Sequence, residues 1–191
     1  VHVPFCASIC RYCALYTRAV RGNADAVFDE YIERIHQAIA THPSAPDGGP
    51  GPTTVHFGGG TPLQIGLTRF TALTHAIRHT FGNPDACEWA LETTTSALTP
   101  HTVATLAELG FQRIHLGIQT LDNRLRQHYR RRESGETAIE KIQFLQQQGF
   151  RCSVDLIIGL EGATEATVQD DLQRLYDAGI RMFSLCALRQ R

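Results

Sequence analysis

A short module returns three times in the second half of the chain and limits the fold more than any other feature. Gly110-Phe111-Gln112-Arg113 leads into an apolar run over 114–118. Gly149-Phe150-Arg151 leads into 152–158, and Gly179-Ile180-Arg181 into 182–187. Each time a helical pattern stops at glycine, one apolar residue follows and a β-rich run begins. Glycine ends helices because it enters the left-handed region without a Cβ penalty. The first half alternates in the same way. Residues 1–3 form a short β-branched stretch. Residues 26–40 carry Phe28, Tyr31, Ile32, Ile35, Ala38 and Ile39 at helical spacing. Strand 53–57 precedes helix 67–81, which is stopped by Gly82, and strand 88–92 follows. Thr99 caps a helix with Pro100 in its first turn, running to residue 109. A helical segment near 122–132 and helices 135–148 and 165–178, the last capped by Thr164, complete the pattern. Six strands alternating with helices make an α/β fold with a parallel sheet. Right-handed crossovers allow an open doubly wound sheet or a barrel. A full eight-unit barrel takes ~250 residues, more than the 191 present.

Composition narrows the class. An apolar share of 42% is enough for a core, and the net charge of −1 with mixed signs gives no nucleic-acid footprint. No apolar run approaches the ~20 residues of a membrane span, and no signal peptide shows. A cytoplasmic protein without a nucleic-acid partner is expected. Residues 1–191 are read as one core domain cut from a longer chain, with the Pro/Gly-rich stretch 43–53 as a mobile surface loop. Cys87, Cys152 and Cys186 are scattered and read as small buried or half-buried apolar residues.

In parallel α/β folds, sites gather at the carboxyl ends of the strands, and the unusual residues fall there. Cys6, Cys10 and Cys13 follow the first strand with C-x3-C-x2-C spacing. Soft thiolates suit zinc, copper(I) or iron–sulfur clusters. A zinc site of three cysteines and a histidine such as His2 is one reading; a cluster with one iron left open is the other. Gly58-Gly59-Gly60-Thr61-Pro62 follows the second strand. It is either a tight turn or a close backbone approach to a ligand; the Lys-Ser/Thr of a phosphate loop is absent. Glu92 and Gln119 close the third and fourth strands, Asp155 interrupts an apolar fifth, and Cys186-Ala187 ends the sixth. A carboxylate in such a strand needs a partner or a ligand. Arg130-Arg131-Arg132 reads as a solvated basic turn or an anion contact. The histidines, His56 and His115 among them, show no shared metal-ligand spacing and read as surface or half-buried residues.

The cysteine loop, with Tyr12 before the last cysteine, resembles the cluster loop of the radical S-adenosylmethionine (SAM) enzymes. Val1-His2-Val3-Pro4-Phe5-Cys6, Gly58-Gly59-Gly60-Thr61-Pro62, Gly117-Ile118-Gln119 and Val154-Asp155-Leu156-Ile157-Ile158-Gly159-Leu160 resemble motifs of its HemN-like branch. That branch holds oxygen-independent coproporphyrinogen III oxidases, HemW-type haem chaperones, anaerobilin synthases and class C methyltransferases. The resemblance implies a partial (β/α)6 TIM-like barrel with outer helices. It implies a [4Fe–4S] cluster on Cys6, Cys10 and Cys13, and SAM on the open iron. Gly59, Gly60 and Thr61 would hold the SAM amino group, and Glu92 its ribose and methionine portion. Gln119 would meet ribose hydroxyls, Arg131 the methionine carboxylate and Asp155 the ribose. The backbone of Ala187 would meet adenine, with Tyr12 near that ring. The implied reaction is reductive cleavage of SAM to a 5′-deoxyadenosyl radical, fed by a donor such as flavodoxin or ferredoxin. The implied substrate is a small molecule, a tetrapyrrole or haem. Three departures stand out. Leu15 occupies the fourth-cysteine position of the coproporphyrinogen enzymes, Thr93-Thr94-Thr95-Ser96 stands where relatives usually show a short pattern ending near proline, and Glu161 replaces a proline after Gly-Leu.

Overall fold

The computed structural model describes residues 1–41, 52–81 and 87–188. Nearly all of the Pro/Gly-rich stretch 43–53, and Gly82, lie outside the described residues. Six strands form one parallel sheet: β1 (His2–Val3), β4 (Thr54–Gly59), β5 (Glu88–Thr93), β6 (Arg113–Gln119), β7 (Arg151–Ile158) and β8 (Phe183–Ala187). They lie side by side in chain order, with β1 and β8 at the open edges. The crossovers carry α1 (Asp25–Thr41), α2 (Leu67–Phe81), α3 (Pro100–Glu108), α4 (Asn123–His128), α5 (Gly135–Gln147) and α6 (Glu165–Asp177). This is the partial barrel expected, open between its edge strands.

Strand alternation gives the sheet two unlike faces. Val55, Phe57, Trp89, Leu91, Ile114, Leu116, Val154 and Leu156 join Phe70, Leu73, Leu106, Ile142, Leu145 and Leu175 of the helices in one core. Aromatic rings concentrate there: Phe57 and Phe70 lie 5.0 Å apart between centroids, and Trp89 and Phe111 5.9 Å. The Arg78 guanidinium stacks 4.3 Å from the Trp89 ring and donates to the Leu109 carbonyl. The opposite face carries His56, Glu88, Glu92, Arg113, His115, Gln119 and Asp155, none fully buried. Polar residues therefore line the concave side. Thr99, Asp122, Ser134 and Thr164 cap four helices by accepting a backbone N–H three residues on.

Three features differ from the sequence reading. First, β4 does not stop at Phe57: Gly58 and Gly59 pair with His2 and Val3. The glycine run is thus part of the sheet, because the two-residue β1 has nowhere else to pair. Second, β2 (Phe5–Cys6) and β3 (Arg18–Ala19) form a separate parallel pair that no periodicity announces. Third, the segment near 122–132 is helical only over Asn123–His128. The chain then turns at Arg130, which has φ of 63°.

Candidate functional site

The cysteine loop is tied at both ends. Phe5 and Cys6 pair with Arg18 and Ala19. The Arg18 and Val20 amides donate to the Pro4 and Cys6 carbonyls at 2.6 and 2.9 Å. Between these ties a turn brings the Cys13 amide to the Cys10 carbonyl at 3.0 Å. The three cysteines are half-buried, and all line one cavity of about 300 Å³ at the carboxyl ends of the strands. Among the described residues no three His, Cys, Asp or Glu side chains stand close enough to hold a single metal ion. The thiols thus border a shared space and do not converge on one point. Burial pushes the Cys6 thiol up; the Thr61 hydroxyl, 3.8 Å from Sγ, opposes this, and the neighbouring Cys13 and Cys10 add to the rise.

Gly60 packs against this loop. A Cβ there would lie 2.6 Å from the Phe5 carbonyl oxygen and 3.0 Å from Cys6 Sγ. The Gly60 and Thr61 amides donate to the Val3 and Phe5 carbonyls, both at 2.8 Å. With these two donors spent internally, Gly60 and Thr61 have no backbone N–H left to offer a phosphate.

The opposite wall comes from β5, β6 and the loop after α4. The same cavity is lined by Tyr12, Gly59, Thr61, Glu92, Gln119 and Arg131. Every predicted site residue lines it except Asp155 and Ala187. Gln119 follows a register shift between β6 and β7 and holds φ of 71°. A non-glycine residue there is uncommon. Its amide nitrogen lies 2.8 Å from where a Gly117 Cβ would be. Arg131 donates to the Gly117 carbonyl and is half-buried, whereas Arg130 and Arg132 are exposed. Tyr12 packs 5.7 Å from Tyr129 between ring centroids. Burial raises its phenol, with Arg131 opposing. The Tyr129 hydroxyl accepts the Glu161 amide at 2.8 Å, a bond that proline could not make; this accounts for Glu161.

Sequence reasoning missed Arg126, which reads as one more exposed helical charge. It is buried and donates to the carbonyls of Glu133, Ile118 and Thr120 at 2.7, 3.1 and 2.8 Å. Burial, then the nearby Arg131, lower its pKa to about 10. It fixes the loop that carries Arg131. The histidines were also underrated. His56 lies 3.7 Å from Glu92, and His115 lies 2.8 Å from Asp155. A second hollow of about 390 Å³ is lined by His56, Glu92, Arg113, His115 and Ser153 among others, and Glu92 borders both spaces. Burial lowers the His56 pKa, with Glu92 opposing. Ala187 lies at the end of exposed β8, opposite Ile158. His2 is exposed, with its ring over Gly59 and Nε2 3.1 Å from the Tyr16 carbonyl. Cys87 and Cys152 are buried as read, but Cys186 is exposed because β8 is an edge strand.

A half-barrel with three thiols above its strand ends defines a class. The model of the Radical SAM superfamily matches residues 1–175, and the chain belongs to that superfamily of enzymes. Its relatives place it in the HemN-like branch. It is 28% identical over 192 residues to an anaerobilin synthase of Escherichia coli O157:H7, covering 98% of this chain and 42% of that protein. It is 30% identical over 175 residues to an oxygen-independent coproporphyrinogen III oxidase of Bradyrhizobium diazoefficiens, covering 91% and 38%. It is 26% identical over 188 residues to the heme chaperone HemW of Lactococcus lactis, covering 98% and 48%. The chain thus spans less than half the length of each. The solved coproporphyrinogen III oxidase (HemN) of Escherichia coli superposes with a TM-score of 0.90 at 22% identity, over 100% of this chain and 43% of that one. The superfamily implies an iron–sulfur cluster and SAM as cofactors. Among the described residues no helix is long and apolar enough to cross a membrane.

Proposed function

We propose that residues 1–191 act as the core domain of a radical SAM enzyme. In this reading Cys6, Cys10 and Cys13 hold a [4Fe–4S] cluster, and the neighbouring cavity holds SAM. The observation that carries it is that the three thiols share one cavity with Gly59, Gly60, Thr61, Glu92, Gln119 and Arg131. Three thiolates satisfy three of four irons and leave one open. Cluster and SAM together supply reductive cleavage to a 5′-deoxyadenosyl radical.

The chain's own residues supply placement. The tied loop fixes the three sulfurs, and the Thr61 hydroxyl rests on one of them. The backbone at Gly59–Thr61 offers acceptors to an amino group. Arg131, already aimed into the cavity wall, offers a guanidinium to a carboxylate. Gln119 and Glu92, with Asp155 behind them and Ala187 at the last strand end, are assigned to the nucleoside. Tyr12 closes the space beneath the loop and excludes water.

The names of the three relatives speak of anaerobilin, coproporphyrinogen III and heme. A tetrapyrrole is therefore the proposed substrate, with a flavodoxin- or ferredoxin-like electron donor in the cytoplasm. Anaerobic reconstitution with iron and sulfide, then dithionite and SAM, tests the reading. About four irons per chain, with 5′-deoxyadenosine formed by the wild type and not by Cys10→Ala, is the expected result. Stoichiometric zinc without a cluster would overturn it. Haem binding with an intact cluster but no cleavage would favour a haem chaperone, and methyl transfer from a second SAM a methyltransferase.

A further inference from the structure

The concave face carries two histidine–carboxylate pairs in the same diagonal relation. In each, the carboxylate lies on the next strand and nearer its carboxyl end. His56 and Glu92 stand 3.7 Å apart, outside hydrogen-bond reach, whereas His115 Nε2 lies 2.8 Å from Asp155 Oδ1. The other ring nitrogen of His115, Nδ1, lies 2.7 Å from Ser153 Oγ. Register explains the geometry: Ser153 is opposite His115 and Asp155 is opposite Gly117. One histidine thus touches two side chains of the neighbouring strand.

The protons follow from the partners. An ionised carboxylate only accepts, so Nε2 carries a proton. In the neutral ring, Nδ1 accepts from the Ser153 hydroxyl; in the imidazolium, it donates to Oγ. A hydroxyl can serve in either way, so Nε2 can keep its proton beside Asp155 in both states. Oδ1 of Asp155 thus lies against the His115 ring. Beside it Gly117 has no side chain, and the atom nearest that space is Nε2 of Gln119. Gly117 thus has Asp155 opposite it in register and the Gln119 amide beside it. Glu92, opposite His115 on β5, adds a second negative charge, and Arg113 is already paired with Glu88.

We infer that His115 is a positioning residue for Asp155. It holds Oδ1 so that Oδ2 is left to the neighbouring hydroxyls of a nucleoside, and Ser153 fixes the ring through its other nitrogen. This rests on the reading of Asp155 as a contact to the SAM ribose.

The test uses cluster-reconstituted protein and equilibrium binding of S-adenosylhomocysteine, which carries the ribose hydroxyls but no sulfonium to cleave. Its 2′,3′-dideoxy analogue is the second probe. The amide nitrogen of H115Q reaches the place of Nε2, while that of H115N reaches only the place of Nδ1. H115N is expected to weaken S-adenosylhomocysteine about tenfold, the scale of one bond to a charged group. H115Q should stay within about threefold of wild type on the same scale. Neither should alter binding of the dideoxy analogue. Equal affinities for H115N and H115Q, whether both retained or both lost, would overturn the inference. If D155A weakens the first probe while H115N does not, the reading of Asp155 stands and the role of His115 falls. If D155A binds it as tightly as wild type, both fall.

Discussion

Replacing Gly60 by alanine adds one methyl group at the most crowded point of the site. That carbon would lie 2.6 Å from the Phe5 carbonyl oxygen and 3.0 Å from Cys6 Sγ. The first contact is with backbone, which cannot swing aside as a side chain would. Phe5 is held by β3 through the register with Arg18, and its own carbonyl accepts the Thr61 amide at 2.8 Å. Relief must come from moving β2 away from the glycine run, which displaces Cys6. Overpacking of this kind costs about 1–3 kcal/mol, or roughly 2–12 °C in Tm for a chain of this size. Gly149→Ala is the matched control. Gly149 has φ of 88° and no atom within 4 Å of the added carbon, so its cost is conformational strain far from the cysteines, about 1–2 kcal/mol. Both variants should melt early by circular dichroism. Only Gly60→Ala should also lose iron and charge-transfer absorbance after reconstitution, by half or more. A Gly60→Ala protein that binds iron like the wild type would refute the claim that this contact fixes Cys6.

Four further outcomes follow from the same geometry. Arg126→Met removes the donors to three carbonyls and should cost about 3 kcal/mol in urea unfolding. Arg131→Ala should weaken SAM about tenfold or more by loss of a charged bond, whereas Arg132→Ala, exposed, should change it little; equal effects would show that the basic turn acts only through its net charge. Cys186→Ser on the edge strand should keep full iron content, whereas Cys13→Ala should not. Glu136 is held down to about 2 by the Asn123 amide, then its own backbone amide, Ser134 and Arg174. A depressed folded-state pKa contributes stability above the unfolded value, which is lost as pH falls through the folded one. The melting-temperature gap between wild type and Glu136→Gln should therefore be open at neutral pH and close between pH 4.5 and about 2; a constant gap would contradict this.

What was legible in the sequence was local. The cysteine loop, the glycine run and Gly117-Ile118-Gln119 each lie within a few residues, and each sits where a strand pattern ends, so parallel topology alone brings them to one edge. Helix α2 matched its predicted bounds at both ends because its apolar face is continuous. What stayed hidden depends on packing between distant segments. The β2–β3 pair has two residues per strand, too few for any period to show. Arg126 on α4 is indistinguishable in sequence from Arg124, which is exposed and bonds the Gly162 carbonyl; only the loop folding back over it decides which is buried. Asp155 was rightly singled out as a carboxylate in an apolar strand, yet its partner could not be named, because the pairing with His115 depends on the register of β6 against β7.

The hidden contacts and the legible motifs do different work, and the division has a physical reason. The cysteines, Gln119 and Arg131 face the cavity and meet whatever occupies it. Their side chains line that space. The residues that hold them spend their donors internally: the Gly60 and Thr61 amides on the Val3 and Phe5 carbonyls, and the Arg126 guanidinium on three loop carbonyls. Gln119 shows both kinds of work on one residue. Its backbone is forced to φ of 71° at the bulge, a conformation that costs a non-glycine residue about 1–3 kcal/mol. That strain turns its amide back over Gly117 and beside Arg131, toward the cavity. Glycine at this position would relieve the backbone and remove the amide. Gln119→Gly should therefore raise the melting temperature or leave it unchanged while weakening S-adenosylhomocysteine binding. A variant that lost stability and affinity together would show that the bulge is held by the side chain and not by the sheet.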